Sequence, residues 1–212
     1  DTLMFVTNLG QLYWLKVYRI PQSGRTAKGK AVVNLINLKD NEKIMAIIPT
    51  TDFDKSKSLA FFTKNGIIKR TALDEFSNIR INGVRAIVLD RTIIGYEPLT
   101  DEEKLKNIEL LKEGKKEYKG KVIYGDEIID EIVTAYITLP ETKYIMIFTA
   151  LGQVIRFDMD QTRMQGRTTK GVRGIKFKKE DDYVVDAEVI ENEEQELLTV
   201  SEKGVGKRTE EI

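Results

Sequence analysis

The chain has 212 residues, with 34 Lys and Arg against 34 Asp and Glu, 41% apolar residues, and neither Cys nor His. A net charge of zero excludes a polycation that holds nucleic acid by bulk attraction. The missing side chains exclude disulfides, thiolate nucleophiles, Cys-based zinc sites and His-dependent catalytic triads. What remains is the chemistry of carboxylates, amines, guanidinium groups, hydroxyls and backbone.

A chain of this length buries roughly 70 to 75% of its unfolded surface, enough for one large core or a row of small ones. No apolar run approaches the roughly 20 residues of a membrane span, and no signal segment opens the chain, so the expected location is cytoplasmic. It starts on the strand-like Asp1-Thr2-Leu3-Met4-Phe5-Val6 and stops at Thr209-Glu210-Glu211-Ile212, which reads as a piece of a longer protein.

Four segments share one pattern: an apolar run, a hydroxyl residue, two variable residues, a Gly and a renewed strand. They are Leu3 to Gly10, Leu59 to Gly66, Ile145 to Gly152 and Leu197 to Gly204. The pattern predicts β-hairpins, because Gly supplies the positive φ of the tight turn. A basic, Gly-rich loop follows three of them. These are Gly24-Arg25-Thr26-Ala27-Lys28-Gly29-Lys30, the shorter Arg80-Ile81-Asn82-Gly83-Val84-Arg85, and Gly166-Arg167-Thr168-Thr169-Lys170-Gly171-Val172-Arg173. After the loops, Ala31 to Ile36 and Ile175 to Phe177 read as β-branched strands.

The unit is hairpin, basic loop, strand, turn and strand, and successive hairpin glycines lie 56, 86 and 52 residues apart. About 50 residues with roughly four strands is the size of a propeller blade. The predicted units lie near 1–58, 59–96, 126–196 and 197–212, with an insertion between blades at about 97–125. Within it, Asp101 to Lys119 reads as a charged helix, with Leu105, Ile108 and Leu111 at helical spacing and Gly114 as the stop.

Charge is segregated along this repeat. From Thr2 to Lys39 there is no acid, and Lys16, Arg19, Arg25, Lys28, Lys30 and Lys39 give +6. From Gln161 to Lys179 there is again none, and the cations, Arg163, Arg167, Lys170, Arg173 and Lys176 among them, give +7. Glu180 to Glu196 then carries nine acids and no base, including Asp181, Asp182, Asp186, Glu188, Glu193 and Glu194. Basic loops in register on successive blades make a perimeter suited to phosphate contacts that are salt-dependent and indifferent to sequence. The bland alternative is a set of solvated loops. A second alternative is a propeller that binds proteins through its acidic strands.

Other motifs point away from catalysis. Gly24 to Lys30 satisfies the start of a Walker A loop, but Ala31 stands where the magnesium-binding hydroxyl belongs. Asp130-Glu131 and Asp181-Asp182 read as solvated acids, because adjacent strand residues face opposite ways. Tyr13, Trp14 and Tyr18 read as core packing in preference to a stacking platform for bases. No catalytic residue and no metal ligand is assigned.

Leu12 to Leu38, Met164 to Ile175 and Glu202 to Thr209 resemble repeats of the C-terminal domain of bacterial gyrase A, part of the type IIA topoisomerase DNA gyrase. The resemblance implies an all-β fold, the β-pinwheel: a propeller-like ring of four-stranded blades with exchanged strands, here with one short helical insertion. It also implies a domain that wraps duplex DNA around a basic rim, so that the holoenzyme introduces negative supercoils using ATP. The implied partners are duplex DNA, the remainder of gyrase A and the gyrase B subunit in a heterotetramer, in the cytoplasm at the nucleoid and away from membrane.

The implied cofactors are none in this piece, and ATP with Mg2+ in the holoenzyme. The cations assigned to DNA are Lys16, Arg19, Arg25, Lys28, Lys30, Arg70, Arg80, Arg85, Arg163, Arg167, Lys170, Arg173, Lys176, Lys207 and Arg208. The family's strict box of Gln, two bases, two Gly, a base and Gly is absent, and Gln165 to Gly171 is a degenerate relative. The C-terminal domain of topoisomerase IV, which shares the fold and lacks the box, therefore stays open.

Overall fold

In the computed structural model, which describes residues 1–78, 80–191 and 196–210, the four hairpins form where the repeated pattern predicts them. Strands β1 (Thr2–Thr7), β2 (Gln11–Lys16) and β3 (Ile44–Thr50) belong to the first repeat. β4 (Ser58–Thr63), β5 (Ile67–Ala72) and β6 (Val84–Arg85) open the second. Then come β7 (Arg91–Tyr96), helix α1 (Asp101–Lys112), β8 (Val122–Ile128) and β9 (Ile132–Thr138). β10 (Tyr144–Thr149), β11 (Val154–Asp158), β12 (Val172–Arg173) and β13 (Val184–Ile190) form the third repeat, and β14 (Glu196–Val200) with β15 (Gly206–Glu210) the fourth hairpin.

The hydroxyl and the Gly of the pattern each have a task. Thr7, Thr63, Thr149 and Ser201 accept a hydrogen bond through the side-chain oxygen from the backbone N–H four residues on, at 3.0–3.2 Å. Their carbonyls accept from Gly10, Gly66, Gly152 and Gly204, each of which has φ between 74° and 81°. The hydroxyl thus closes the turn on one side and the left-handed Gly on the other.

Each blade is completed by the next repeat. The first sheet has the order β3-β1-β2-β6 and the second β9-β4-β5-β12, so β6 and β12 cross from the repeat that follows. The third sheet, β13-β10-β11, contains three strands. Packing follows the same logic, as a row of small cores. Ala60, Phe62 and Ile68 of the second blade share one cluster with Ile145, Ile147, Val184, Ala187 and Val189 of the third, while Phe5, Tyr13, Leu15 and Ile36 form another.

Three sequence expectations need correction. The segment Ala31 to Ile36 is a 3-10 turn at Val32–Asn34 and packs Ile36 onto its own blade. Ile175 to Phe177 is likewise outside any strand, the paired residues being Val172 and Arg173 just before it.

The insertion is the third correction. It lies inside the second repeat, as a separate compact unit, Leu89–Asp130. There β7 pairs with β8, and β9 returns to the second sheet beside β4. Helix α1 starts on a capping box between Thr100 and Glu103. It ends when Gly114, at φ 69°, donates to Leu111 and Lys115 donates to Leu110, a Schellman closure. Leu105, Ile108 and Leu111 are exposed, and the buried residue is Asn107, whose amide bonds both backbone groups of Tyr118.

Candidate nucleic-acid interface

The strand exchange determines where the basic loops go. Val84 and Arg85 pair with Leu12 and Gln11, and Val172 and Arg173 pair with Ile68 and Ile67, in the same register. The next amide locks each crossing strand to the hairpin turn: Ala86 donates to Gly10 and Gly174 donates to Gly66, at 2.9 and 2.8 Å. Ile87 and Ile175 then plug the core. Gly83 and Gly171 permit this approach, since a Cβ on them would lie 2.8 Å from the Leu12 carbonyl oxygen and 2.6 Å from that of Ile68. Arg85 and Arg173 stand at equivalent positions beside the turn, both exposed.

On the β5 edge the third loop is held in detail. Gln165 donates to the Arg70 carbonyl at 2.8 Å, and Thr169 Oγ1 contacts Gln165 Oε1 and the Gly166 carbonyl, both at 2.9 Å. The Thr169 carbonyl accepts from Val88, which ties the second repeat's crossing segment to the third loop. The N–H of Arg167 donates to Glu75 Oε2 at 3.1 Å, and its carbonyl accepts from Lys69 Nζ at 2.5 Å. Lys69 also donates to the Ala86 carbonyl at 2.7 Å and is fully buried. Burial lowers its pKa to about 8, with Glu75 opposing and Arg167 adding to the shift.

Of the cations assigned from sequence, Arg163, Arg167, Lys170 and Arg173 lie along this one edge, with Arg163, Lys170 and Arg173 exposed and Arg167 half-buried. Arg80 and Arg85 are exposed on the second repeat's loop. Arg25, Lys28 and Lys30 are exposed on the first loop, in which the Ala27 N–H donates to the Gly24 carbonyl. Arg19 and Lys176 are exposed, and Lys16 donates to Thr2 Oγ1. Lys207 and Arg208 sit on β15, apart from the loops, with Arg208 3.1 Å from Glu196.

Arg70 departs from the assignment. Its guanidinium donates to the carbonyls of Met159 and Thr162 at 2.9 and 3.1 Å and to Ser58 Oγ at 3.3 Å. It is half-buried and pins the third repeat's 3-10 turn, Met159–Gln161, to the second blade. Sequence pattern missed Lys69 and Glu75 as loop anchors. The available signal was a lysine at a strand position occupied by Tyr13 and Ile155 in the first and third blades.

The acidic block is not uniformly a solvated edge. Asp182 is buried and accepts from Thr149 Oγ1, Leu151 N–H and Tyr183 N–H at 2.7, 3.0 and 2.9 Å. Desolvation raises its pKa, but these donors outweigh it and hold the carboxyl below the ordinary range. In the first blade Glu42 bonds Thr7, at 3.2 Å, and Tyr13 OH, at 2.7 Å. Asp181, Asp186 and Glu188 are exposed, and Glu193 and Glu194 lie outside the described residues. Tyr13 and Trp14 are buried in β2 as core, whereas Tyr18 is exposed.

The residues present do not fit ATP. The Walker-like run is followed by Ala31 and a 3-10 turn, where a phosphate site needs a hydroxyl and the N-terminus of a longer helix. No described helix is long and apolar enough to cross a membrane.

The profile of the family "DNA gyrase C-terminal domain, beta-propeller" matches residues 1–51, 57–112, 143–191 and 195–211. The chain belongs to that family. Gyrase A of Campylobacter jejuni is 52% identical over 99% of this chain, and that of Helicobacter pylori strain 26695 is 45% identical over 99%. The chain spans 24% and 21% of those relatives' lengths. Among solved structures, a DNA gyrase A C-terminal domain aligns at a TM-score of 0.66 and 25% identity, covering 98% of this chain and 54% of that one. The C-terminal domain of DNA topoisomerase IV aligns at 0.73 and 22%, covering 99% and 53%, which speaks for the shared fold. The fold is the β-pinwheel expected from the sequence.

Proposed function

We propose that this chain binds and wraps duplex DNA as the C-terminal domain of gyrase A. The observation that carries the reading is the exchanged strand. It docks the third basic loop against β5 of the neighbouring blade, with Met164 beside Arg70 at one end and Val172 and Arg173 beside Ile68 and Ile67 at the other, in a stretch without an acid. Such a surface takes phosphates without reading bases, and its glycines admit the backbone of a bulky ligand. Bending 20 to 30 base pairs by 40 to 90° costs about 1 to 6 kcal/mol, so contacts from several blades act together.

In this reading the wrapped segment is presented to catalytic domains elsewhere in gyrase A, and negative supercoils are introduced with gyrase B, ATP and Mg2+. The protein then works in the cytoplasm at the nucleoid. The identity of the curated relatives favours gyrase over topoisomerase IV.

The test is a gel shift of linear duplex by full-length gyrase A, measured in low and in high salt. Arg167→Glu with Lys170→Glu weakens binding equally on unrelated sequences. It also flattens the dependence of log K on log salt by about 0.9 per lost phosphate contact. Unchanged affinity and slope would sink the assignment.

A further inference from the structure

Lys69 is a buried ammonium that the hairpin itself does not require. Counted from the hairpin glycines, the corresponding strand positions hold Tyr13 in the first blade, Ile155 in the third and an exposed lysine, Lys207, in the fourth hairpin, so what sets Lys69 apart is its burial. Glu75 is replaced by Arg19 and Gln161 at the corresponding positions of the first and third blades. Taking a charge out of water is costly unless it is hydrogen-bonded. The burial of Lys69 therefore has to be offset by the carbonyls it meets.

Lys69 and Glu75 meet on one residue of the next repeat. Glu75 accepts the N–H of Arg167 and Lys69 donates to its carbonyl, so the two polar backbone groups of Arg167 are gripped by opposite charges. The second contact of Lys69, to the Ala86 carbonyl, anchors the ammonium to the second repeat's own crossing segment. These bonds fall where the full Gly-Arg-Thr-Thr-Lys-Gly loop docks. The shorter loop at Arg80 to Gly83 docks against Tyr13, whose hydroxyl bonds Glu42.

We propose that Lys69 and Glu75 are positioning residues for DNA: they bracket the Arg167 backbone and present its guanidinium to a phosphate, one blade orienting the DNA contact of the next. This rests on the reading that the third loop touches DNA. Lys69 is too buried to reach a phosphate, so its share is exerted through Arg167. Holding the backbone in the bound geometry removes an ordering cost that a free loop meets on binding.

The experiment is equilibrium binding of full-length gyrase A to linear duplex across a salt series, with single and double variants. Arg167→Ala is expected to weaken binding about 5- to 10-fold and to flatten the salt slope by about 0.9. Lys69→Met and Glu75→Ala each weaken it about 3-fold, and each adds less than about 2-fold once Arg167 is already Ala. Glu75→Gln keeps wild-type affinity, because its amide oxygen accepts the same N–H.

Equal losses with and without Arg167 would show a general structural role and overturn the bracket. So would higher affinity in both Glu75→Gln and Glu75→Ala, the mark of a carboxylate that merely repels phosphate. Because Glu75 is exposed, its variants decide the matter even if Lys69→Met unfolds. A silent Arg167→Ala removes the loop from the interface and the bracket with it, whereas a strong Arg167→Ala beside silent bracket variants refutes the bracket alone.

Discussion

Residues 24–29 and 166–171 spell nearly the same word, Gly-Arg-Thr-Ala-Lys-Gly and Gly-Arg-Thr-Thr-Lys-Gly, and both end on a left-handed glycine. Their surroundings differ. The later loop lies on the edge of β5, its strand paired and its backbone held by Arg70, Lys69, Glu75 and Val88. The earlier one has open space around Gly24 and Gly29, and the residues after it form a 3-10 turn. Nearly identical local chemistry is thus held by many backbone bonds where β5 lends an edge and by few at the first loop. Propensity written in the loop is overridden by the availability of a partner strand.

The sharpest way to break the comparison is to place a methyl group on each loop's final glycine. At Gly29 an added Cβ meets nothing within 4 Å and the cost is that of a left-handed backbone alone. At Gly171, with φ 106°, it also strikes the Ile68 carbonyl oxygen at 2.6 Å. Gly171→Ala is expected to cost about 3 kcal/mol more than Gly29→Ala, a difference of roughly 6 to 12 °C in Tm for a chain this size. Thermal unfolding checks it, and equal shifts would mean that β12 is not tightly seated.

The pH dependence of Lys69 comes next. Its folded pKa of about 8 lies below the ordinary 10.5, so between these values the unfolded chain keeps a proton that the folded chain has released. Stability then rises with pH from 8 toward 10, by about 2 kcal/mol at most, and Lys69→Met flattens that rise. The neutral amine retains two N–H donors for the carbonyls of Ala86 and Arg167, so the loop stays docked. Above pH 10 Tyr13 acts in the opposite sense, since burial and then Glu42 push its pKa up. Denaturant titrations at pH 8 and 10 give the sign directly.

A smaller effect separates the two arginines. Arg167→Ala is expected to cost about 5-fold more DNA affinity than Arg25→Ala in the same gel shift, because the anchored backbone of Arg167 has less freedom to lose on binding. If the two variants lose equally, docking of the loop is irrelevant to binding.

The hairpins were fully legible in the sequence, because a hydroxyl and a Gly three residues apart specify the turn from within. Helix α1 was legible through the spacing of Leu105, Ile108 and Leu111 and the stop at Gly114, although it ends at Lys112 and the capping box of Thr100 and Glu103 was not read. The destinations of β6 and β12 were not: two residues are too few for a periodic signal, and their partners lie some 70 to 100 residues away. The insertion extends beyond the expected limits of 97–125 because β7 is strand-like yet, among the described residues, pairs with β8. The inward turn of Arg70 and of Asp182 was hidden because a charged side chain looks the same whether a phosphate, water or a carbonyl waits for it.

The completion of each blade by its successor also sets an order in time. During synthesis β2 must wait about 70 residues for β6, and β5 about 100 residues for β12, because the Leu89–Asp130 unit is made in between. At 5 to 20 residues per second that leaves the β5 edge bare for roughly 5 to 20 s. An open edge is a template for the wrong strand as well as the right one. The insertion therefore lengthens the interval in which a nascent second blade can be captured by another chain.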